Sequence, residues 1–300
     1  MLLSLNGETR LHLIVGDPVA QTKSPAGLSE EFALRGVNAV CVPVHVGPGE
    51  LDQFIRAAKL ARNIDGIVVT MPHKFAALAH CDEASERAGF LGAVNVLHRI
   101  GSGRWRGDMT DGIATVAALR RAGCEPGEAR ALVVGAGGAG SAVALALIES
   151  GVASLAVADI DPARRDGLTK RLTARAAAII RPEPPAGAGP AGARGPEGPR
   201  GTAADDGPAV AEAFGPRGMP DPAGFNIIVN ATPAGMRPDD PLPVDATHIE
   251  PRAYVADLIS RPAMTPLLVA ARRRGARVVT GEDMFAVQAG ILADLLLAPG

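Results

Sequence analysis

Three hundred residues exceed the usual single-domain range of roughly 100 to 200, so two domains, each burying its own core, are expected. Hydrophobic residues at 47% and charged residues at 21% suit an ordinary globular chain, and 30 basic against 32 acidic side chains supply no positive field for nucleic acid or an anionic membrane. A small-molecule ligand is expected instead; three scattered cysteines without a C-x-x-C pair and six histidines without ligand spacing offer neither a disulfide framework nor a metal site, which points to a reducing, cytoplasmic setting.

The apolar run from Met1 to Leu5 is too short for a signal segment, and the chain is expected to start near Met1. Beyond it, LHLIVG (11–16), AVCVPVHV (39–46), GIVVTM (66–71) and AVNVLHRI (93–100) are rich in valine and isoleucine and predict strands. Between the first two, SPAGLSEEFALRG (24–36) predicts a helix with Ser24 as N-cap, Pro25 in the first turn and Gly36 as its stop. ELDQFIRAAKLARN (50–63) places Leu51, Phe54, Ile55, Ala58 and Ala61 near helical spacing. This alternation predicts a mainly parallel α/β sheet.

A second α/β series begins near residue 108. It reads helix GIATVAALRRAG (112–123), strand ALVVGAG (131–137), helix AGSAVALALIESG (139–151), strand SLAVADID (154–161) and helix PARRDGLTKRL (162–172). After a gap come strands NIIVNAT (226–232) and YVADLI (254–259), helix TPLLVAARRRG (265–275), strand ARVVTG (276–281) and a last helix over about 283–297. The uncharged run from Ala131 to Ile148 is long enough to span a membrane, but its central GAGGAG breaks a lipid-facing helix, and no span is expected. From 181 to about 222 the chain is rich in Pro, Gly and Ala; its triplets over 189–201 are too few for a collagen helix and predict a solvated insertion.

Gly135, Gly137 and Gly140 form a G-x-G-x-x-G directly after a strand and at the start of a helix, with Gly138 as an extra glycine. That context lets backbone N–H groups approach a pyrophosphate at a helix N-terminus, so a dinucleotide site is expected. Asp159, at the end of the next strand, stands where a carboxylate accepts hydrogen bonds from the adenosine ribose and repels a 2′-phosphate. NAD is therefore favoured, with NADP possible because Arg164 and Arg165 follow closely.

In chain order, GDPVAQTKSP (16–25), VVTMPHK (68–74), GAVNV (92–96), GDMTDG (107–112), GAGGAG (135–140), NATPAGM (230–236), the TP at 265–266 and Gln288 resemble the shikimate/quinate dehydrogenase family. The resemblance covers nearly the whole chain apart from the insertion. It implies a substrate-binding domain over 1–108, a Rossmann-type NAD(P) domain over 109–264 carrying the 181–222 insertion, and a 265–300 segment whose last helix returns to the substrate domain. It also implies hydride transfer between a nicotinamide and a ring hydroxyl of shikimate or quinate.

Removing hydride from an alcohol leaves a hydroxyl proton that needs a base, and the reverse step needs an acid. Lys74 and Asp111, each at a helix start after a strand-ending motif, take that work jointly by the resemblance; a neighbouring carboxylate would hold and orient the ammonium. Thr22 and Ser24 offer hydroxyls to a substrate carboxylate beside a helix N-terminus. Thr70, Asn95 and Gln288 match the ligands of ring hydroxyls, and Thr232 and Met236 fall on the cofactor side.

The chain departs from the family pattern at Thr22, His73, Met109, Ser260 and Asp283, the last carboxylate being expected near the nicotinamide. These changes suggest a divergent branch, in which an NAD-linked dehydrogenase of another cyclic hydroxy acid, or an idle sensor of NAD and ligand, stays open. A monomer or homodimer is expected.

Overall fold

The computed structural model describes residues 5–20, 22–180, 209–212 and 219–298. The first half runs β1 (Arg10–Gly16), α1 (Ser24–Leu34), β2 (Ala39–His45), α2 (Leu51–Leu60), β3 (Ile64–Val69), α3 (Lys74–Ala77), β4 (Glu83–Ala84), α4 (Glu86–Leu91), β5 (Val96–Ile100), β6 (Arg104–Asp108) and α5 (Asp111–Arg121). The second runs β7 (Arg130–Val134), α6 (Gly138–Glu149), β8 (Ser154–Ala158), α7 (Pro162–Ile180), β9 (Ala209–Glu212), β10 (Ile227–Asn230), β11 (Tyr254–Asp257), α8 (Pro266–Arg273), β12 (Arg277–Val279) and α9 (Gly281–Leu296). Two six-stranded sheets result, ordered β2-β1-β3-β5-β6-β4 and β12-β11-β10-β7-β8-β9.

The second sheet is parallel at every pairing, and its central strands β7 and β10 are buried and dominated by valine and isoleucine, as expected of a sheet covered on both faces. The first sheet departs from the parallel expectation. Its β5 runs antiparallel to both β3 and β6; toward β6 the cause is Gly101–Gly103, which turns the chain tightly and leaves no room for a crossover helix. The signal for β6 was present in the sequence as a Gly-containing three-residue loop between VLHRI and RWRGD.

Several boundaries also differ. Lys23, not Ser24, is the N-cap of α1; its backbone is already helical, no side chain caps the helix, and Ser24 is the first helical residue. Ala209–Glu212, inside the expected insertion, forms the β9 edge strand beside β8, while 181–208 and 213–218 lie outside the described residues, the collagen-like triplets among them. The second sheet takes β12 from beyond residue 264. Among the described residues, no helix is long and apolar enough to cross a membrane; the glycine-opened α6 has 12 residues.

The halves share packing. Leu13, Val15 and Ile67 from the first sheet and Val133 and Val157 from the second belong to one buried cluster, with α5 against α6 between them. At that contact a Cβ on Gly112 would stand 2.0 Å from the Ala142 carbonyl oxygen, so only glycine lets the two helices approach this closely. Helix α9 packs on α1 and α5 and buries Leu292, Ala293 and Leu296 with Ile14, Phe32, Val68 and Val96. Beside them His12 is fully buried, its ring 4.6 Å from that of Phe32, and neither ring nitrogen has a hydrogen-bond partner among the described residues. Burial lowers its pKa to about 4.

Candidate active site

Residues far apart in sequence converge where α3, α5 and α9 meet. Asp111 opens α5, and the N-terminal end of a helix favours its negative charge. Its side chain is 6% exposed and its Oδ2 is ion-paired with Lys74 Nζ, whose side chain is 15% exposed. The other oxygen, Oδ1, accepts from Asn95 Nδ2 at 2.7 Å and from Gln288 Nε2 at 2.8 Å. Charge-assisted hydrogen bonds of this kind are the stronger class, and here they give both oxygens of the buried carboxylate a partner.

Thr110 orders the same cluster. Its backbone N–H donates to Asn95 Oδ1 at 2.9 Å, and its Oγ1 accepts from Asn95 Nδ2 at 2.9 Å and Gln288 Nε2 at 3.2 Å. The two amides are thereby turned nitrogen-first toward Asp111. Asp108, three residues earlier, holds the loop: burial pushes its carboxyl up, but Arg87 at 2.8 and 2.6 Å and the Ser85 hydroxyl outweigh that and keep it below the usual carboxylate range. The sequence reading missed Thr110, Asp108 and Arg87, although two of the three lie inside GDMTDG.

Thr70 follows β3, while Thr22 lies between β1 and α1 and Ser24 at the start of that helix. Thr70 donates its N–H to Val15 O at 2.9 Å and fills the space that a side chain at Gly16 would need: a Cβ there would stand 2.3 Å from Thr70 Cγ2. Thr22 Oγ1 donates to Val19 O at 2.8 Å, so that hydroxyl presents its lone pairs unless it rotates, whereas the Ser24 hydroxyl makes no hydrogen bond within the described residues. Lys23, between them, is ion-paired with Glu282 and ties this loop to the start of α9. Asp283, expected near the nicotinamide, caps the start of α9. Its carboxylate turns back on Thr280, accepting from the backbone N–H at 2.9 Å and the hydroxyl at 2.7 Å in a capping box.

On the other side of Lys74 lies the glycine loop between β7 and α6. Gly135 has φ +102°, a conformation suited to glycine, and a Cβ on Gly140 would fall 1.8 Å from the Gly135 carbonyl oxygen. A Cβ on Gly138 would lie 3.1 Å from Lys74 Cβ and 3.2 Å from its Cδ, so the loop and the lysine stem are in contact. Asp159 ends β8 with its side chain 7% exposed; its Oδ2 accepts the Ala136 N–H at 2.6 Å and its Oδ1 the Asp161 N–H at 2.8 Å. The sequence reading gave this carboxylate to the adenosine ribose; in the structure its oxygens accept from the backbone of the glycine loop and of the turn after β8.

Thr232 stands beside Gly135, its Cγ2 2.9 Å from where a Cβ would be, and donates its hydroxyl to Asn230 Oδ1 at 2.7 Å. Asn230 in turn donates to Asp257 Oδ1 at 3.1 Å, and Thr265 donates to Asp257 Oδ2 at 2.7 Å. Burial pushes the Asp257 carboxyl upward, and these donors offset that only in part. Asp257, unmentioned by the sequence reading, thus anchors the loop bearing Thr232 and Met236, the latter donating its N–H to Pro233 O at 3.0 Å. Gly137 is the N-cap of α6, and no side chain caps that helix start.

The chain as a whole resembles known proteins. The family model described as the shikimate dehydrogenase substrate binding domain matches residues 14–97. A relative from Rubrobacter xylanophilus named shikimate dehydrogenase (NADP(+)) is 38% identical over 95% of this chain and 89% of its own length. Among solved structures, the Thermus thermophilus shikimate 5-dehydrogenase in complex with NADP(H) and shikimate is 27% identical, covering 97% of this chain and 95% of its own, with a TM-score of 0.76. The quinate dehydrogenase from Corynebacterium glutamicum in complex with NAD is 26% identical, covers 96% and 94%, and has a TM-score of 0.75. With sequence identity above 30% along nearly its full length, with two α/β sheets and with a glycine-loop dinucleotide fold, the chain belongs to the shikimate dehydrogenase family of oxidoreductases that act on CH–OH donors.

Proposed function

We propose that this chain interconverts shikimate, or its close relative quinate, and the corresponding ring ketone with NAD as the preferred hydride carrier. The observation that carries the reading is the carboxylate of Asp111, shared by Lys74, Asn95 and Gln288 and lying across Lys74 from the glycine loop. In this reading residues 1–108 with α9 bind the ring acid, and 109–264 with α8 and β12 bind the dinucleotide. The absence of side chains at Gly135, Gly137, Gly138 and Gly140 suits close approach of a pyrophosphate to the backbone of α6. When bound, the nicotinamide supplies the acceptor for the substrate hydride.

The chain's own residues handle the proton. In ketone reduction the Lys74 ammonium donates a proton to the developing alkoxide; in alcohol oxidation the Lys74–Asp111 pair takes the hydroxyl proton as hydride leaves the ring carbon, so charge and mass balance. Asn95 and Gln288 keep Asp111 fixed, and Thr70 and Gln288 present polar groups to neighbouring ring hydroxyls. Thr22 and Ser24 receive the substrate carboxylate at the start of α1, Thr22 by rotating away from Val19 O. The NAD preference rests on the acidic end of β8, where Asp159 and Asp161 engage Arg164, although curated relatives are named for NADP(+).

Absorbance at 340 nm with shikimate and quinate, each offered NAD and then NADP, tests the reading directly. Turnover is expected with at least one of the two acids and faster with NAD; four silent reactions would refute it. Gly140→Ala is expected to abolish turnover and NADH binding measured by calorimetry, because its Cβ would overlap the Gly135 carbonyl. Retained NADH affinity in that variant would place the dinucleotide elsewhere.

A further inference from the structure

The end of β8 carries two carboxylates with different duties. Asp159 is nearly covered and spends both oxygens on the backbone N–H groups of Ala136 and Asp161, so it holds the glycine loop in place. Asp161 is 43% exposed and caps α7: its Oδ1 accepts the N–H groups of Ala163 at 3.0 Å and Arg164 at 3.2 Å. Its other oxygen takes Arg164 Nε at 3.1 Å, while Arg164 reaches with a terminal nitrogen to Asp159 Oδ1 at 3.3 Å. The guanidinium therefore lies across both acids. Arg165 is paired with Asp166 at 2.7 Å, and Ile160, 97% exposed between the acids, brings no donor.

A 2′-phosphate needs a cation able to present several N–H donors, and arginine is the residue type best shaped for it. Here Arg164 stands at the right strand end with its charge already matched by two carboxylates. We propose that Asp161 is the specificity-determining residue for the cofactor and acts as a latch on Arg164: while the pair is closed the arginine is withheld from a 2′-phosphate, and NAD is used. Asp159, the acid that the spacing of the motif singles out, serves the loop. The proposal rests on the reading of this strand end as the adenosine-ribose site.

The test compares kcat/KM for NADP with kcat/KM for NAD in the wild-type chain, Asp161→Ser, Arg164→Ala and the double variant, with thermal melts to verify folding. Serine keeps the N-cap while removing the partner of Arg164 Nε. Asp161→Ser is expected to raise the NADP:NAD ratio about tenfold or more, the scale of one charge-assisted hydrogen bond, and adding Arg164→Ala should erase the gain. If the double variant keeps the gain, removal of repulsion explains it and the latch is refuted; an unchanged ratio in Asp161→Ser, or in Asp161→Asn should the serine variant melt early, refutes it equally. A wild-type chain that already prefers NADP overturns the NAD reading itself. In that event a fall in NADP use on Arg164→Ala alone shows an arginine that no latch withholds.

Discussion

Replacing Lys74 by alanine is expected to lower kcat by on the order of a thousandfold while leaving NADH binding within a few-fold, since positioned acid/base groups contribute on that scale. Asp111→Asn should fall by a similar factor: an amide still accepts from Asn95 and Gln288 but gives the ammonium no countercharge. The informative result is the double variant. Two groups that act as one unit are non-additive, so the double should be little worse than the poorer single. If the two losses multiply, Lys74 and Asp111 work separately and the joint assignment fails. Stopped-flow reading of NADH formation, with melting curves as a control on folding, decides it.

His12→Leu is expected to stabilise the chain in acid and to matter much less above neutrality. The imidazole has a folded pKa of about 4 against 6.5 when exposed, and its ring sits between Phe32 and the Gly66 strand with no partner for either nitrogen among the described residues. A lowered pKa means that the unfolded chain binds a proton here as the pH drops through 6.5, while the folded chain refuses it until about 4. Stability that is fully present above that window is lost across it, by about 3 kcal/mol at most. Urea midpoints at pH 4.5 and pH 8 check this: the gain of His12→Leu over wild type should be large at the first and small at the second. An equal gain at both would mean that packing, not protonation, is being measured.

What the sequence disclosed follows from the range over which each signal acts. The strand–glycine–helix signature of 131–151 is local, and the backbone around Gly135 and Gly140 bears it out. Gln288 and Asp111 lie 177 positions apart, so no periodicity joins them; the ordered motifs of a family did, and the hydrogen bond between their side chains agrees. Asp159 shows the opposite case. Spacing locates an acid at a strand end but does not say which way its oxygens turn, and here two backbone N–H groups draw them inward. Asp283 carries a second local signal, since Thr280-x-x-Asp283 follows the capping-box pattern and the side chain forms that cap. The β5–β6 hairpin was overlooked because a parallel alternation was already assumed.

The contact between the glycine loop and the lysine stem has a consequence for how such an enzyme can change. A Cβ at position 138 would stand 3.1 Å from Lys74 Cβ, so a methyl group on the loop is felt by the lysine stem, and a new rotamer of that stem is felt by the loop. Drift in the part that grips the cofactor and drift in the part that moves the proton are therefore not independent histories. A lineage that adopts a new carrier or a new ring acid has to accept substitutions at position 138 and on the lysine in compatible pairs.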